Sequence, residues 1–220
     1  GDVYKRQALV AAGIFMAVGG PSFVSASAAK RQLPIYSVER EEKVCAISFD
    51  AAWGNEDTQA LIDILGKYNV KATFFVVGDW VDKYPESVKA LHDAGHEVMN
   101  HSLHHDHYNA LTADQVVADV TACNEKIAAI TGVTPCLIRC PYGEYDDHVI
   151  SATRSMGMEP IQWDVDSLDW KDLSASDIAM RIVSRTREGS IILCHNNGKH
   201  TAEALPIVPV SYTHLTLPTT

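Results

Sequence analysis

The chain has 220 residues, enough for one substantial core, and its 46% hydrophobic and 21% charged content is that of a folded protein rather than a disordered one. A formal net charge of −10 argues against a surface that tracks phosphates. Neither a Lys/Arg run nor a Gly-x-x-x-x-Gly-Lys loop is present, so no nucleic-acid partner is expected and a neutral or cationic substrate fits better.

Lys5 and Arg6 precede an apolar stretch from Ala8 to Val18, followed by Pro21 and the small-residue run Ser25–Ala29. That order is the one a secretory signal uses, so residues 1–29 are expected to direct export to the cell envelope or beyond. The apolar part is short of the roughly 20 residues that span a bilayer. Phe23 and Val24 extend it, which keeps an uncleaved anchor as the alternative. Contact with a membrane is expected only through this segment, and the protein is expected to act as a monomer. Residues 30–43, rich in Lys, Arg and Glu, read as a linker, and the domain proper is expected over 44–210.

From Val44 onward, short apolar runs alternate with amphipathic stretches. The periodicity predicts strands over 44–50, 71–77, 96–99, 136–139, 159–163 and 189–194, and helices over 57–68, 85–94, 112–131, 146–156 and 174–187. Gly95, Gly132, Gly157 and Gly189 fall just past helical stretches, where a left-handed cap is needed. Repeated strand–helix units imply a parallel sheet, either open or closed into a barrel. In such folds chemistry collects at the C-terminal ends of the strands. Asp50, the His101 region, Arg139, Asp164–Asp169 and His195 all fall at or just after such ends.

Each cluster also has an ordinary explanation. Asn100-His101-Ser102-Leu103-His104-His105 could be a solvated loop, but a helical turn here would put His101 and His105 four residues apart on one face, a workable pair for a divalent metal. Arg139-Cys140-Pro141-Tyr142-Gly143 could be a plain turn, or it could supply a cation that keeps a carboxylate ionised. In Trp163–Trp170, two tryptophans flank Asp164, Asp166 and Asp169; a sugar site uses such groups, as does an acidic surface loop. His195 ends a buried-looking run and could be a core histidine or a proton donor. The five cysteines follow no framework spacing; Cys45 and Cys194 read as small core residues.

Taken together, in order and spacing, these stretches from about Val44 to Leu205 resemble the polysaccharide deacetylase family (NodB homology domain, carbohydrate esterase family 4). Trp53-Gly54 is similar to the sporulation-type, PdaB-like subgroup. The resemblance implies an irregular (β/α) barrel and hydrolytic N-deacetylation of an N-acetylated glycan, peptidoglycan or chitin-like, with release of acetate. It implies Asp50 as base, His101 and His105 as metal-binding residues, and Arg139 as the group that orients the base. It further implies Tyr142 as a backbone oxyanion donor, Asp169 and Trp170 as the pair that tunes the acid and walls the acetyl pocket, and Leu193 and His195 as pocket wall and acid. The implied cofactor is a divalent metal, with zinc expected.

This chain departs from the family pattern in three places. Ala51 stands where the family has a second aspartate, the third metal ligand; two histidines with water bind zinc less tightly than three protein ligands. Asn55, Asp57, Asp106 and His107 are the candidates to replace it. Cys140 stands where the family commonly has proline. The C-terminal SYTHLTLPTT and the opening GDVYKRQ resemble translated adaptor sequence; residues 1–7 and 211–220 are expected to pack poorly, and the barrel to lack its last element. The alternative function is that of a catalytically weak relative that binds glycan in the envelope or spore.

Overall fold

Val44–Ala51 (β1) is buried along almost its whole length, as befits a central strand of a parallel sheet covered on both faces. The computed structural model describes residues 31–208 and the backbone of Thr213–His214; the expected signal segment 1–29, including residues 1–7, lies outside them. After β1 come Thr58–Lys67 (α1), Thr73–Val76 (β2), Gly78–Lys83 (α2), Pro85–Asp93 (α3), Glu97–Asn100 (β3) and Ala113–Thr131 (α4). Leu137–Ile138 (β4), Asp147–Ser155 (α5), Glu159–Pro160 (β5), Val165–Asp166 (β6), Ala175–Arg185 (α6), Ile191–His195 (β7) and Thr201–Ala204 (α7) complete the domain. The strands pair in parallel in the order β5-β4-β3-β2-β1-β7-β6, and Thr213–His214 (β8) pairs with the start of β1. This is the expected (β/α) architecture. Its irregularity lies in β4, β5 and β6, which are two residues long.

Five of the described helices, α1 and α3 to α6, fall where the periodicity predicts. Thr112 and Gln115 form a reciprocal capping box at the start of α4, and Gly132 ends it at φ 74°. Gly95 and Gly157 also follow their helices at positive φ, whereas Gly189, though at positive φ, caps no helix: α6 closes at Thr186 in extended backbone, and Gly189 instead bonds to Val38 and Val44. α2, β6 and α7 are too short to carry a periodic signal and are not among the predicted elements.

Alternation along β1 separates two layers. Cys45, Ile47, Phe49 and Ala51 face outward and pack with Leu61, Leu65, Val88, Leu91, Ile178 and Ile182 of the helices. Ala46 faces inward with Phe75, Met99, Leu137, Ile161 and Ile191, so β1, β2, β3, β4 and β7, with the residue just after β5, build an interior apolar layer. Above that layer, at the C-terminal ends of the strands, the inward residues become polar. Part of the stretch read as a linker joins this structure: Ile35 bridges Ile161, Ser37 bridges Ser190, and Ile35 and Val38 pack against the interior layer. Cys123, Cys136, Cys140 and Cys194 are free thiols, and burial pushes the Cys45 thiol up to about 11.

Candidate active site

Parallel register sets the first two groups side by side: Asp50 on β1 is the partner of His195 on β7. Arg139, just after β4, reaches across to Asp50, its Nη1 donating to Asp50 Oδ1 at 2.8 Å. The guanidinium is fully buried, so its remaining donors need partners. Nη2 donates to the Gln162 carbonyl at 3.1 Å and Nε to that of Ile161 at 3.4 Å. The Phe75 ring lies 4.2 Å from the guanidinium carbon and that of Trp163 at 5.5 Å. Burial alone would raise the Asp50 carboxyl pKa; Arg139, then His101 and His195, outweigh it and hold the group below the usual carboxylate range.

His101 and His105 do come together, with ring centroids 5.0 Å apart, but not on a helix. Residues 101–107 form a loop in which Ser102 (φ 76°) and His105 (φ 61°) take the left-handed conformation. Local side-chain bonds stabilise it in place of helical ones: the Ser102 N–H donates to Asn100 Oδ1 at 2.7 Å, the His105 N–H to Ser102 Oγ at 2.8 Å, and the Leu103 N–H to Asp119 Oδ1 at 2.8 Å.

His101 Nδ1 lies 2.6 Å from the Arg139 carbonyl, which can only accept, so Nδ1 carries the proton and Nε2 keeps its lone pair. That Nε2 faces Asp50 Oδ2 at 3.5 Å. His105 Nδ1 is buried without a partner. Burial, then the neighbouring His101, pushes the His105 pKa down to about 4, and burial also lowers that of His101. Two neutral imidazoles, one turning its lone pair toward a carboxylate, suit a cation between them, so this donor set fits a divalent metal as a two-nitrogen site.

A third side-chain ligand is not supplied. Among the described residues no group of three or more His, Cys, Asp or Glu side chains is placed to hold a metal. Ala51 belongs to the outer apolar layer, His107 pairs with Glu144 at 2.9 Å, and Asp106 is exposed. Asp57 makes no capping bond, and Asn55 Oδ1 is buried without a partner.

On the other side of Asp50, His195 Nδ1 lies 2.8 Å from Asp169 Oδ1. Burial alone would lower the His195 pKa, but the hydrogen bond and charge of Asp169, with Asp50 and Asp166 farther off, raise it above the ordinary value. The three carboxylates of the 163–170 stretch separate in role. Asp169 enters the site, Asp166 Oδ1 accepts the Leu168 N–H at 2.9 Å, and Asp164 receives Ser190 Oγ and the Ile191 N–H, both at 2.9 Å, away from the cleft. Trp163 packs on Arg139, which leaves Trp170, 57% exposed, as the open aromatic surface of the pair.

These groups line one cleft of about 590 Å³, within the range of small-ligand sites. Asp50, His101, His105, Tyr142, Asp169, Trp170, Leu193 and His195 all face it, with Arg139 buried beneath. Trp53 and Tyr142 are exposed at its rim, and their rings meet His105 edge-on at 4.7 and 4.5 Å. Tyr142 has φ 58°; with Ser102, His105, Leu168 and Asp172 it concentrates left-handed, non-glycine backbone in the loops of this site. Trp53 appears in the sequence only as a subgroup marker. Gly198, before α7, and Thr201, at its start, carry no sequence signal, because a lone small residue in a polar stretch matches no motif.

Comparison with known proteins follows the same line. A family model described as polysaccharide deacetylase matches residues 37–161. The Bacillus subtilis peptidoglycan-N-acetylmuramic acid deacetylase PdaA is 33% identical over 77% of this chain and 66% of its own length. The uncharacterized protein YlxY of the same organism is 34% identical over 78% of this chain and 54% of its own. A crystal structure of a Bacillus anthracis CE4 family pseudoenzyme superposes with a TM-score of 0.79 at 32% identity, covering 83% of this chain and 66% of that one. The chain thus spans about half to two thirds of the length of the relatives it matches.

Proposed function

The chain belongs to the polysaccharide deacetylase family, and on that premise we propose that it hydrolyses the N-acetyl group of peptidoglycan or a chitin-like glycan, releasing acetate and leaving a free amino sugar. The observation that carries this reading is the pairing of an ionised carboxylate, Asp50–Arg139, with a raised imidazole, His195–Asp169, at adjoining register positions of one cleft. Trp53, Tyr142 and Trp170 at the rim offer apolar faces for sugar rings.

In this reading Asp50, held ionised by Arg139, removes a proton from the attacking water. The Tyr142 N–H, presented by a left-handed residue at the cleft wall, donates to the oxyanion that forms on the acetyl carbonyl. His195 gives the proton on its Nε2 to the departing amine while Nδ1–H stays on Asp169. Deacetylases of this family are metal-dependent in general. His101 and His105 are the residues that would hold a divalent ion, zinc by expectation, which when bound supplies Lewis-acid polarisation of the amide. The protein acts outside the cytoplasm in this reading, exported by residues 1–29.

The pKa directions set the pH profile. Activity needs Asp50 ionised and His195 protonated. The acid limb is therefore expected below the usual carboxylate range and the alkaline limb above the ordinary histidine value, with a plateau between them. A kcat/KM profile that already falls between pH 5 and 6 on its alkaline side would remove His195 as the acid.

Ala51 and the likeness to a pseudoenzyme favour a second reading, a glycan-binding protein with little turnover. Acetate release from N-acetylglucosamine oligomers and from purified peptidoglycan, with and without added zinc, separates the two. We expect release that requires zinc, and zinc binding in calorimetry that weakens at least 10-fold to 100-fold, the cost of even an outer-shell change, in His101→Ala. Glycan binding without acetate release at saturating zinc would establish the second reading.

A further inference from the structure

The Asp169 carboxylate is almost fully buried, so what holds it decides how His195 is held. Its Oδ1 accepts from His195 Nδ1 at 2.8 Å, and its Oδ2 accepts from the His195 backbone N–H at 2.7 Å. Both of those donors belong to the residue that Asp169 is meant to orient. The other side-chain donor is Thr201 Oγ1, itself 1% exposed, at 2.7 Å from Oδ2. A buried carboxylate with two neighbouring donors from one residue could turn with that residue; a third donor from a separate helix fixes its plane.

The loop between β7 and α7 is shaped to bring that donor in. The Thr201 N–H donates to the Gly198 carbonyl at 3.0 Å, folding residues 198–201 into a tight turn beneath the carboxylate. A Cβ on Gly198 would lie 2.1 Å from Thr201 Oγ1 and 3.0 Å from Asp169 Oδ2, so no side chain can enter there while the hydroxyl keeps its bond. Glycine is required here by close approach, not by backbone conformation.

We propose that Thr201 is a positioning residue for the proton donor, with Gly198 opening the space it needs. Thr201 holds Asp169 so that Oδ1 faces His195 Nδ1–H. The imidazole is thereby kept in the tautomer and orientation that place its Nε2 proton toward the cleft. The proton that leaves is the one on Nε2; its bonding pair stays on the ring, Nδ1–H remains bonded to Asp169, and Asp169 is never protonated. This inference rests on the reading of His195 as the acid, and the experiment below separates the two.

Thr201→Val keeps the shape and removes the donor; Thr201→Ser keeps the donor. On N-acetylglucosamine oligomers, Thr201→Val is expected to lower kcat about 10-fold with KM little changed, and Thr201→Ser to restore most of it. Gly198→Ala, which displaces the hydroxyl by bulk, is expected to reproduce the Thr201→Val pattern. A readout independent of turnover is the far-downfield NMR resonance of the His195 Nδ1 proton. It is expected in the wild type and in Thr201→Ser, and broadened or lost through faster exchange in Thr201→Val. Absence of the resonance from the wild type, or its persistence in Thr201→Val, would overturn the positioning role whatever the activity shows. If the resonance behaves as expected while no variant, nor the wild type, releases acetate, the positioning stands and the deacetylase reading fails.

Discussion

Asp50→Asn is expected to lower acetate release by about 10³-fold, within the roughly 10²–10⁴ that a positioned base contributes. Asparagine has the shape of aspartate and can still accept from Arg139 Nη1, so the interior arrangement survives while the ability to take a proton is lost. The His101–His105 pair keeps its own supports, the Arg139 carbonyl and Ser102 Oγ, so zinc binding is expected to change little. The measurement is acetate per chain over time, alongside calorimetric zinc titration and far-UV circular dichroism. A variant that keeps more than a tenth of the wild-type rate would remove Asp50 from the role of base.

Arg139→Met is expected to have the largest effect on stability. Loss of one partner of a buried ion pair costs about 3–5 kcal/mol, because the other charge is left in the interior without compensation. Methionine retains a flexible apolar stem against Phe75 and Trp163 but none of the bonds to Asp50, Gln162 and Ile161. With the cation gone, burial, the largest influence on the Asp50 carboxyl, raises its pKa unopposed by its main partner.

The sign of the pH dependence then reverses. In the wild type the depressed folded pKa contributes stability that is present above the unfolded carboxyl pKa and is lost as pH falls through the folded one. In Arg139→Met the raised folded pKa makes Asp50 a source of instability that grows as pH rises above the ordinary carboxyl range. Denaturant unfolding at pH 4 and pH 7 should therefore show a larger loss at pH 7. The double variant Asp50→Asn/Arg139→Met should recover part of that loss, since both charges are then absent. A double variant less stable than Arg139→Met would show that the pair is not coupled as the 2.8 Å contact indicates.

The parts of this protein that repeat were legible in the chain. Five long helices and the principal strands follow from apolar periodicity, and three glycines, Gly95, Gly132 and Gly157, mark helix ends at positive φ, because both signals arise from local backbone and burial requirements. Short elements were not: α2, β6 and the two-residue extents of β4 and β5 are set by what the neighbouring strand offers, not by propensity over a window. The His101–His105 pair shows the limit more sharply. A spacing of four suggests a helix, but the chain instead uses two left-handed residues and side-chain acceptors from Asn100, Ser102 and Asp119, which periodicity does not report.

By itself, then, the sequence determined which residue types stand at the strand ends, and with them the family and the candidate base, acid and imidazoles. Tertiary structure decided their relations: that Asp50 pairs in register with His195, that Arg139 is buried against Asp50, that Asp164 turns away while Asp169 turns in, and that Thr201 closes the shell around Asp169. It also decided the surroundings of Ala51, which lies in the outward apolar layer of β1 while Asp50 faces the cleft. The reason is physical. Local sequence specifies which way the backbone can turn, whereas a relation between residues 89 or 145 positions apart exists only in the folded sheet: parallel register sets Asp50 beside His195, and the Arg139 side chain reaches Asp50 across the dry interior at 2.8 Å.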